Sequence, residues 1–270
     1  MRIVRSAAEV REALAAARAA GSSIGLVPTM GAFHAGHLAL LRAARERCDV
    51  VVVSLFVNPA QFGPGEDLAR YPRDEARDAA LAEEAGADIL LAPTADEVYP
   101  AGFSTWVEPG PLGTVLEGAA RPGHFRGVAT VCTKLFGMAR PDVAFFGRKD
   151  AQQVAVVKQV VRDLNLQVEI VACPTVRDPD GLALSSRNAF LTAEERAIAV
   201  TLPRALQEGL RAHRSGTDAA VATTRAVLDA EPRLSVDYVA EADLDGPTLA
   251  AAVRVGSTRL IDNVRLSEEA

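Results

Sequence analysis

Three cysteines in 270 residues, Cys48, Cys132 and Cys173, are too few and too far apart for a disulfide framework, a zinc knuckle or a redox pair. An odd number of thiols set among apolar or helical neighbours points to reduced cysteines and a cytoplasmic protein. Long apolar runs are missing too, and nothing approaches the ~18 residues that a membrane span requires. The opening MRIVRSAAEVREAL has no apolar h-region, so it reads as structure and not as a secretion signal. Positive charge is also in short supply. With a net charge of −6, no broad nucleic-acid surface is expected, and an anionic ligand would have to be held by local cations and helix ends against the overall field. No internal repeat or low-complexity tract stands out beyond an alanine bias. No Ser-His-Asp or Cys-His pattern offers a covalent nucleophile.

What is present suits a globular chain with a sizeable core: 49% of residues are apolar and 24% charged. Ser6-x-x-Glu9 predicts a helix over 6–20, stopped by Gly21. Apolar runs at 23–29 (SIGLVPT), 49–57 (DVVVVSLFV), 87–92, 142–147 and 167–176 read as strands. Residues 37–47, 74–85, 127–139 and 151–163 read as helices. A run as continuous as DVVVVSLFV belongs in the middle of a parallel sheet covered on both faces. The alternation predicts an α/β fold, a doubly wound parallel Rossmann-like sheet with right-handed crossovers. After about residue 177 the pattern changes. Thr192-x-x-Glu195 opens a helix, two Ala-rich helices follow, and VDYVAEAD with AAVRV-Gly256-Ser257-TRLIDNVRL predicts a small antiparallel sheet. The expected organisation is a main domain over 1–176 and a smaller C-terminal α+β domain over 177–270, acting as a lid over the site.

Ligands of open parallel sheets sit beyond the carboxyl ends of the strands. The predicted strands are followed there by Pro28–His37, by Asn58-Pro-Ala-Gln61-Phe-Gly, by Gly147-Arg148-Lys149-Asp150 and by Thr175-Val176-Arg177. Histidine is scarce, with four in the chain, yet His34 and His37 stand three apart at a predicted helix start. That spacing puts both on one side of the first turn, where unsatisfied N–H groups and the helix dipole favour phosphate. Gly36 removes a side chain where a phosphate approaches the backbone. Imidazole N–H donors would strengthen as charge builds on a departing pyrophosphate. Two other readings stay open: a pair of capping or core histidines, or a zinc site, although no cysteine or third histidine stands at ligand spacing. Lys149 can neutralise phosphate and Asp150 can cap a helix or accept from a hydroxyl, or the stretch is a solvated turn. Leu184-Ser185-Ser186-Arg187-Asn188 offers two hydroxyls and a guanidinium on a closing loop, or is an N-cap cluster or linker.

Taken together, PTMGAFHAGH, LFVNPAQFGPGEDLARYPR, GHFRGVATVCTKLF, FFGRKDAQQ and LALSSRNAFL, with TRLIDN near the C-terminus, resemble the pantoate–β-alanine ligase family. That family lies within the adenylyl-transferring His-x-Gly-His Rossmann superfamily. The likeness runs over nearly the whole chain and is densest from 26 to 191. It implies ATP-dependent condensation of (R)-pantoate with β-alanine to pantothenate through a pantoyl adenylate, with AMP and pyrophosphate released. It also implies a homodimer, with no nucleic-acid or membrane partner.

By the same resemblance, Met30, Gly31, Ala32, Phe33, His34, Ala35, Gly36 and His37 form the first ATP loop, with His37 as proton donor. Gly147, Arg148, Lys149, Asp150, Val176, Leu184, Ser185, Ser186 and Arg187 hold the rest of the nucleotide. His34, His37, Lys149 and Arg187 are the catalytic set. Gln61 and Gln153 bind pantoate, Gln61 also β-alanine, with Asn58 and Arg121 beside them and Tyr71, Glu117 and His124 as further candidates. For Arg121 and His124 a plain surface loop is the alternative. Mg²⁺ would ride on the phosphates and keep most of its waters, with no protein ligand assigned, because Arg77-Asp78 replaces the acidic pair some members have. Phe33 and Leu184 stand where Leu and Met are usual, apolar swaps that adjust packing. Arg148 stands where Gln or Glu is common. A nucleotidylyltransferase would share His-x-Gly-His without needing NPAQF and GRKDAQQ. A non-catalytic nucleotide-binding protein would not need to retain His34, His37, Lys149 and Arg187 together.

Overall fold

The computed structural model describes residues 1–266. The described residues form two compact units: Met1–Gly147 with Gln153–Cys173, and Arg148–Gln152 with the described residues from Pro174 onward.

The first unit runs β1 (Arg2–Val4), α1 (Ala7–Ala19), β2 (Ile24–Thr29), α2 (Ala35–Arg47), β3 (Val50–Leu55), α3 (Glu75–Glu84) and β4 (Ile89–Leu91). Short helical turns α4 (Ala95–Val98) and α5 (Glu117–Ala120) precede α6 (His124–Ala139), β5 (Val143–Gly147), α7 (Ala151–Asp163) and β6 (Glu169–Cys173). Six parallel strands lie in the order β1-β4-β3-β2-β5-β6. Val51, Val52 and Val53 of β3 are all fully buried, so helices cover both faces, as the unbroken valine run requires. From β2 the chain steps outward through β3 to β4, then returns to the other side of β2 as β5. Winding reverses between β2 and β5, and beyond their carboxyl ends lies the crevice where doubly wound sheets take ligands.

Several boundaries differ from the sequence pattern for identifiable reasons. Strand β1 is an unpredicted edge strand, three residues long and too short to show a period, so SIGLVPT forms the second strand and not the first. Helix α2 begins at Ala35 because His34 itself caps it. Helix α6 begins at His124, directly after Gly123 in the left-handed region (φ 84°). Strand β6 stops at Cys173, because Pro174 has no N–H to give a ladder.

The second unit adds α8 (Ala193–Ala199), α9 (Thr201–Ala212) and α10 (Thr217–Asp229). After them come β7 (Leu234–Asp243), β8 (Pro247–Val255) and β9 (Thr258–Arg265), an antiparallel sheet in chain order. The Thr192–Glu195 capping box is formed in both directions. Leu202, Ala205 and Leu206 of α9 pack with Leu249, Val253 and Leu260 in one core. Along β9 buried and half-buried residues alternate, and one carboxylate, Asp262, stands in the buried row. Among the described residues no helix is long and apolar enough to cross a membrane.

Candidate active site

At the carboxyl end of β2 the chain turns through Gly31 (φ 91°) and Ala32 (φ 54°) into the start of α2. His34 is the N-cap, with extended backbone, and its Nδ1 accepts the Gly36 N–H at 3.1 Å. The His34 N–H in turn points at His37 Nδ1, at 3.4 Å. Each ring thus uses Nδ1 as an acceptor. A neutral imidazole has one acceptor and one donor nitrogen, so these partners assign the proton to Nε2 on both rings. The two rings lie 4.2 Å apart, and Phe33 backs His37 at 5.3 Å. A serine cap would satisfy the same backbone groups. Only histidine caps with one atom while carrying an N–H donor on another, so the capping and phosphate-binding readings describe two ends of the same ring. Zinc fits less well, since both Nδ1 atoms are engaged and, among the described residues, no three His, Cys, Asp or Glu are grouped to hold a metal.

The loop before the histidines is held from below by a residue that the sequence did not mark as part of the site. Asp78, on α3 and only 1% exposed, accepts the Ala32 N–H at 2.7 Å through Oδ2 and the Phe33 N–H at 2.8 Å through Oδ1. Arg77 reaches the Phe33 carbonyl at 3.2 Å and stands 3.7 Å from the Asp78 carboxylate. Gly31 is required here twice over: its φ is left-handed, and a Cβ would come within 2.6 Å of Leu55 and 2.9 Å of Asp78. In sequence Asp78 enters only through Arg77-Asp78, the replacement of an acidic pair. No local signal ties it to amides 45 and 46 positions away.

Beyond β3, Asn58 and Gln61 form a buried relay. The Asn58 amide donates to Gln61 Oε1 at 3.0 Å and to the Gly127 carbonyl at 3.1 Å. Its Oδ1 accepts from Ala60 N and, at 2.8 Å, from the Tyr99 hydroxyl. Every polar position of Asn58 is therefore engaged by protein. Gln61 Nε2 donates to Met30 Sδ at 3.1 Å, a weak acceptor that a ligand oxygen would outcompete. The turn Pro59–Gln61 sits directly on α6, where a Cβ on Gly127 would come within 2.3 Å of the Ala60 carbonyl.

Arg121 and His124 do not lie on a plain surface loop. His124 is buried, its Nδ1 donates to the Gln61 carbonyl at 2.8 Å, and Arg121 Nη1 donates to its Nε2 at 3.1 Å. Burial first, and the Arg121 charge second, lower its pKa to about 4, so the ring is neutral at pH 7. Arg121 also grips the Glu66 carboxylate at 2.7 and 2.8 Å. Burial pushes Glu66 up, but the hydrogen bonds and charge of Arg121 outweigh it and hold the carboxyl below its ordinary value. This pair ties down the end of Phe62-Gly63-Pro64-Gly65. Tyr71 and Glu117 are both buried in the same unit, with the Tyr71 ring edge-on to Phe62 at 6.0 Å. Gln153, on α7, also belongs to this unit and is half-buried.

Gly147 ends β5 in the first unit, and the second unit holds the remaining candidates. Arg148–Asp150 forms a helical turn leading into α7, with Lys149 Nζ 3.8 Å from Asp150 Oδ1 and Arg148 Nη2 3.2 Å from Asp245. Val176 and Leu184 are joined by a backbone hydrogen bond of 2.9 Å across a short reverse segment. Ser185 caps the helical turn Ser186–Phe190 by accepting the Arg187 N–H at 3.2 Å. The cap uses a lone pair of Ser185 and leaves its O–H a donor.

The family model described as Pantoate-beta-alanine ligase matches residues 2–265. A curated relative from Bradyrhizobium diazoefficiens, "Pantothenate synthetase 1", is 55% identical over 99% of each chain. The solved pantothenate synthetase of Thermus thermophilus superposes with a TM-score of 0.93 at 47% identity, over 99% of this chain and 100% of that one. A pantoate-beta-alanine ligase from Francisella tularensis, solved with beta-gamma ATP and beta-alanine, gives 0.85 at 33% identity, over 100% of this chain and 99% of that one.

Proposed function

From the premise that this chain belongs to the pantoate–β-alanine ligase family, we propose a role for each part of the site. The enzyme is an AMP-forming ligase that joins pantoate to β-alanine using ATP, with pantoyl adenylate as the intermediate. Pantoate's carboxylate oxygen attacks the α-phosphorus, and the bond to the bridging oxygen breaks and releases pyrophosphate. The β-alanine nitrogen then attacks the acyl carbon, the bond to AMP breaks, and the nitrogen gives up its proton. Neither step calls for a covalent enzyme group. What the protein supplies is alignment and donors aimed at the departing charge.

His34 and His37 present paired Nε2–H donors to the polyphosphate, beside the positive end of α2. Lys149 and Arg187 add positive charge, and Met30–His37, Gly147–Asp150, Val176 and Leu184–Arg187 enclose the nucleotide. Gln61, set by Asn58 and aided by Gln153 and Arg121, takes pantoate's hydroxyl and carboxylate. Asn58 acts through Gln61 and not on the ligand, because its own amide is spent on protein partners. Mg²⁺ belongs to the nucleotide substrate in this scheme, since Asp78 uses both oxygens on backbone N–H groups. The adenylate must be kept from water until β-alanine arrives. The enzyme works as a cytoplasmic homodimer, which light scattering on the purified protein tests.

The observation that carries this reading is the double Nδ1 cap, which leaves both imidazoles as Nε2–H donors at one helix start. The test follows pyrophosphate release from ATP. It should require pantoate, and AMP release should additionally require β-alanine. His37→Ala should lower kcat about 10²-fold or more with little change in ATP affinity, because the contact tightens as charge develops. A normal kcat with a raised KM for ATP would contradict the role.

A further inference from the structure

The motif TRLIDN is far in sequence from every segment assigned to ATP, yet Asn263 touches one of them and Asp262 holds Arg177, the neighbour of Val176 in another. On β9, successive side chains point to opposite faces of the sheet. The Asn263 Nδ2 amide donates to both the Arg148 and the Lys149 carbonyls, each at 2.9 Å. On the other face Asp262, 2% exposed, takes Arg177 in a two-pronged ion pair of 2.6 and 2.9 Å. Arg177 follows Val176 directly and bridges to Ala183, at the base of the segment that leads into Ser185–Arg187. The Asp262 carboxylate also accepts the Asn263 N–H at 2.8 Å, which locks the acid to the backbone of its neighbour. Two ATP segments more than 20 residues apart in sequence are thus pinned on one dipeptide. This explains why Arg148–Gln152 groups with the C-terminal unit although the strand before it belongs to the sheet.

We propose that Asn263 is the positioning residue of Lys149, and that Asp262–Asn263 makes the lysine turn and the Val176–Arg187 segment one rigid frame for the nucleotide. The amide suits this role. Its two N–H groups match two consecutive carbonyls, and no other side chain of that size brings two donors without a charge. The inference rests on the reading that Lys149 serves ATP.

A double-mutant cycle in the full-length enzyme tests it, with pantoate-dependent pyrophosphate release as the readout. Asn263→Ala should lower kcat/KM for ATP about tenfold or more when Lys149 is present, and less than about threefold in a Lys149→Ala background. KM for β-alanine should stay unchanged in all variants. Asn263→Asp, which keeps the shape and turns an acceptor toward two carbonyls, should do at least as much damage as alanine. If Asn263→Ala fails to fold, Asn263→Ser, retaining one donor, runs the same cycle under the same criterion. Additive losses would overturn the inference alone, since they would mark Asn263 as a general structural residue. A Lys149→Ala enzyme with undiminished use of ATP would overturn the assignment of Lys149 and the inference with it.

Discussion

The two units present their donors in opposite ways. In the first, the proposed donors are imidazoles with Nδ1 spent on the backbone, and the charge that organises them is hidden underneath, in the buried Asp78 carboxylate beneath Ala32 and Phe33. In the second, the proposed donors are cations, Lys149 and Arg187, and the lysine stands on a turn steadied by a neutral amide and by the half-exposed Arg148–Asp245 pair. A neutral donor must keep its tautomer and direction, so its support has to be rigid and dry. A lysine is a flexible point charge, so its turn can be held at the backbone and left wet at the edges. The nucleotide site proposed above therefore combines a part that salt should hardly touch with a part that salt should loosen.

The sharpest way to break this contrast is to remove the buried charge. Asp78→Ala leaves the buried Phe33 N–H and the half-buried Ala32 N–H unsatisfied and should cost about 3–5 kcal/mol in urea unfolding, with activity lost even where the fold survives. Next is acid. A histidine whose pKa is lowered to about 4 binds no proton in the folded state while the unfolded chain takes one up below about 6.5. Stability tied to His124 is therefore complete above pH 6.5 and is lost as pH falls toward 4, by about 3 kcal/mol. The depressed Glu66 loses its share only below its ordinary value of 4.5, so the window between 4.5 and 6.5 isolates the histidine. His124→Gln should flatten the dependence of unfolding free energy on pH there, and an unchanged slope would count against neutral burial. Gly127→Ala should cost about 2 kcal/mol by forcing the turn Pro59–Gln61 off α6, with KM for pantoate rising more than KM for ATP. The smallest effect belongs to the second unit. Arg148→Ala should cost about 1 kcal/mol or less, and that cost should shrink in high salt, whereas the Asp78 penalty should not.

What could be read from the sequence divides along the same line. Caps and periods were visible because they act within a few residues. His34 and His37 share one helical turn, the Thr192–Glu195 box closes over three positions, and the valine run of β3 declares a covered sheet by itself. Long-range partners were not visible. Asp78 stands out in sequence only within Arg77-Asp78, in place of an acidic pair, and Asn263 lies in a strand more than a hundred positions from the carbonyls it holds. In the sequence Asn58 is a candidate ligand contact. Its position suggests that, but only the packing shows its amide spent on Gln61, Gly127, Ala60 and Tyr99. The edge strand β1 leaves no pattern because three residues carry no period, and the apolar run of β6 overruns the strand because it continues past Pro174.

Nitrogen-15 NMR of the histidine rings, with a non-hydrolysable ATP analogue and pantoate bound, reaches the centre of the matter. His34 and His37 should both carry the proton on Nε2, with Nδ1 accepting from the backbone, and their Nε2 protons should shift when the analogue binds. A proton on Nδ1 of either ring, or Nε2 signals indifferent to the nucleotide, would remove the paired donors on which the whole site is built.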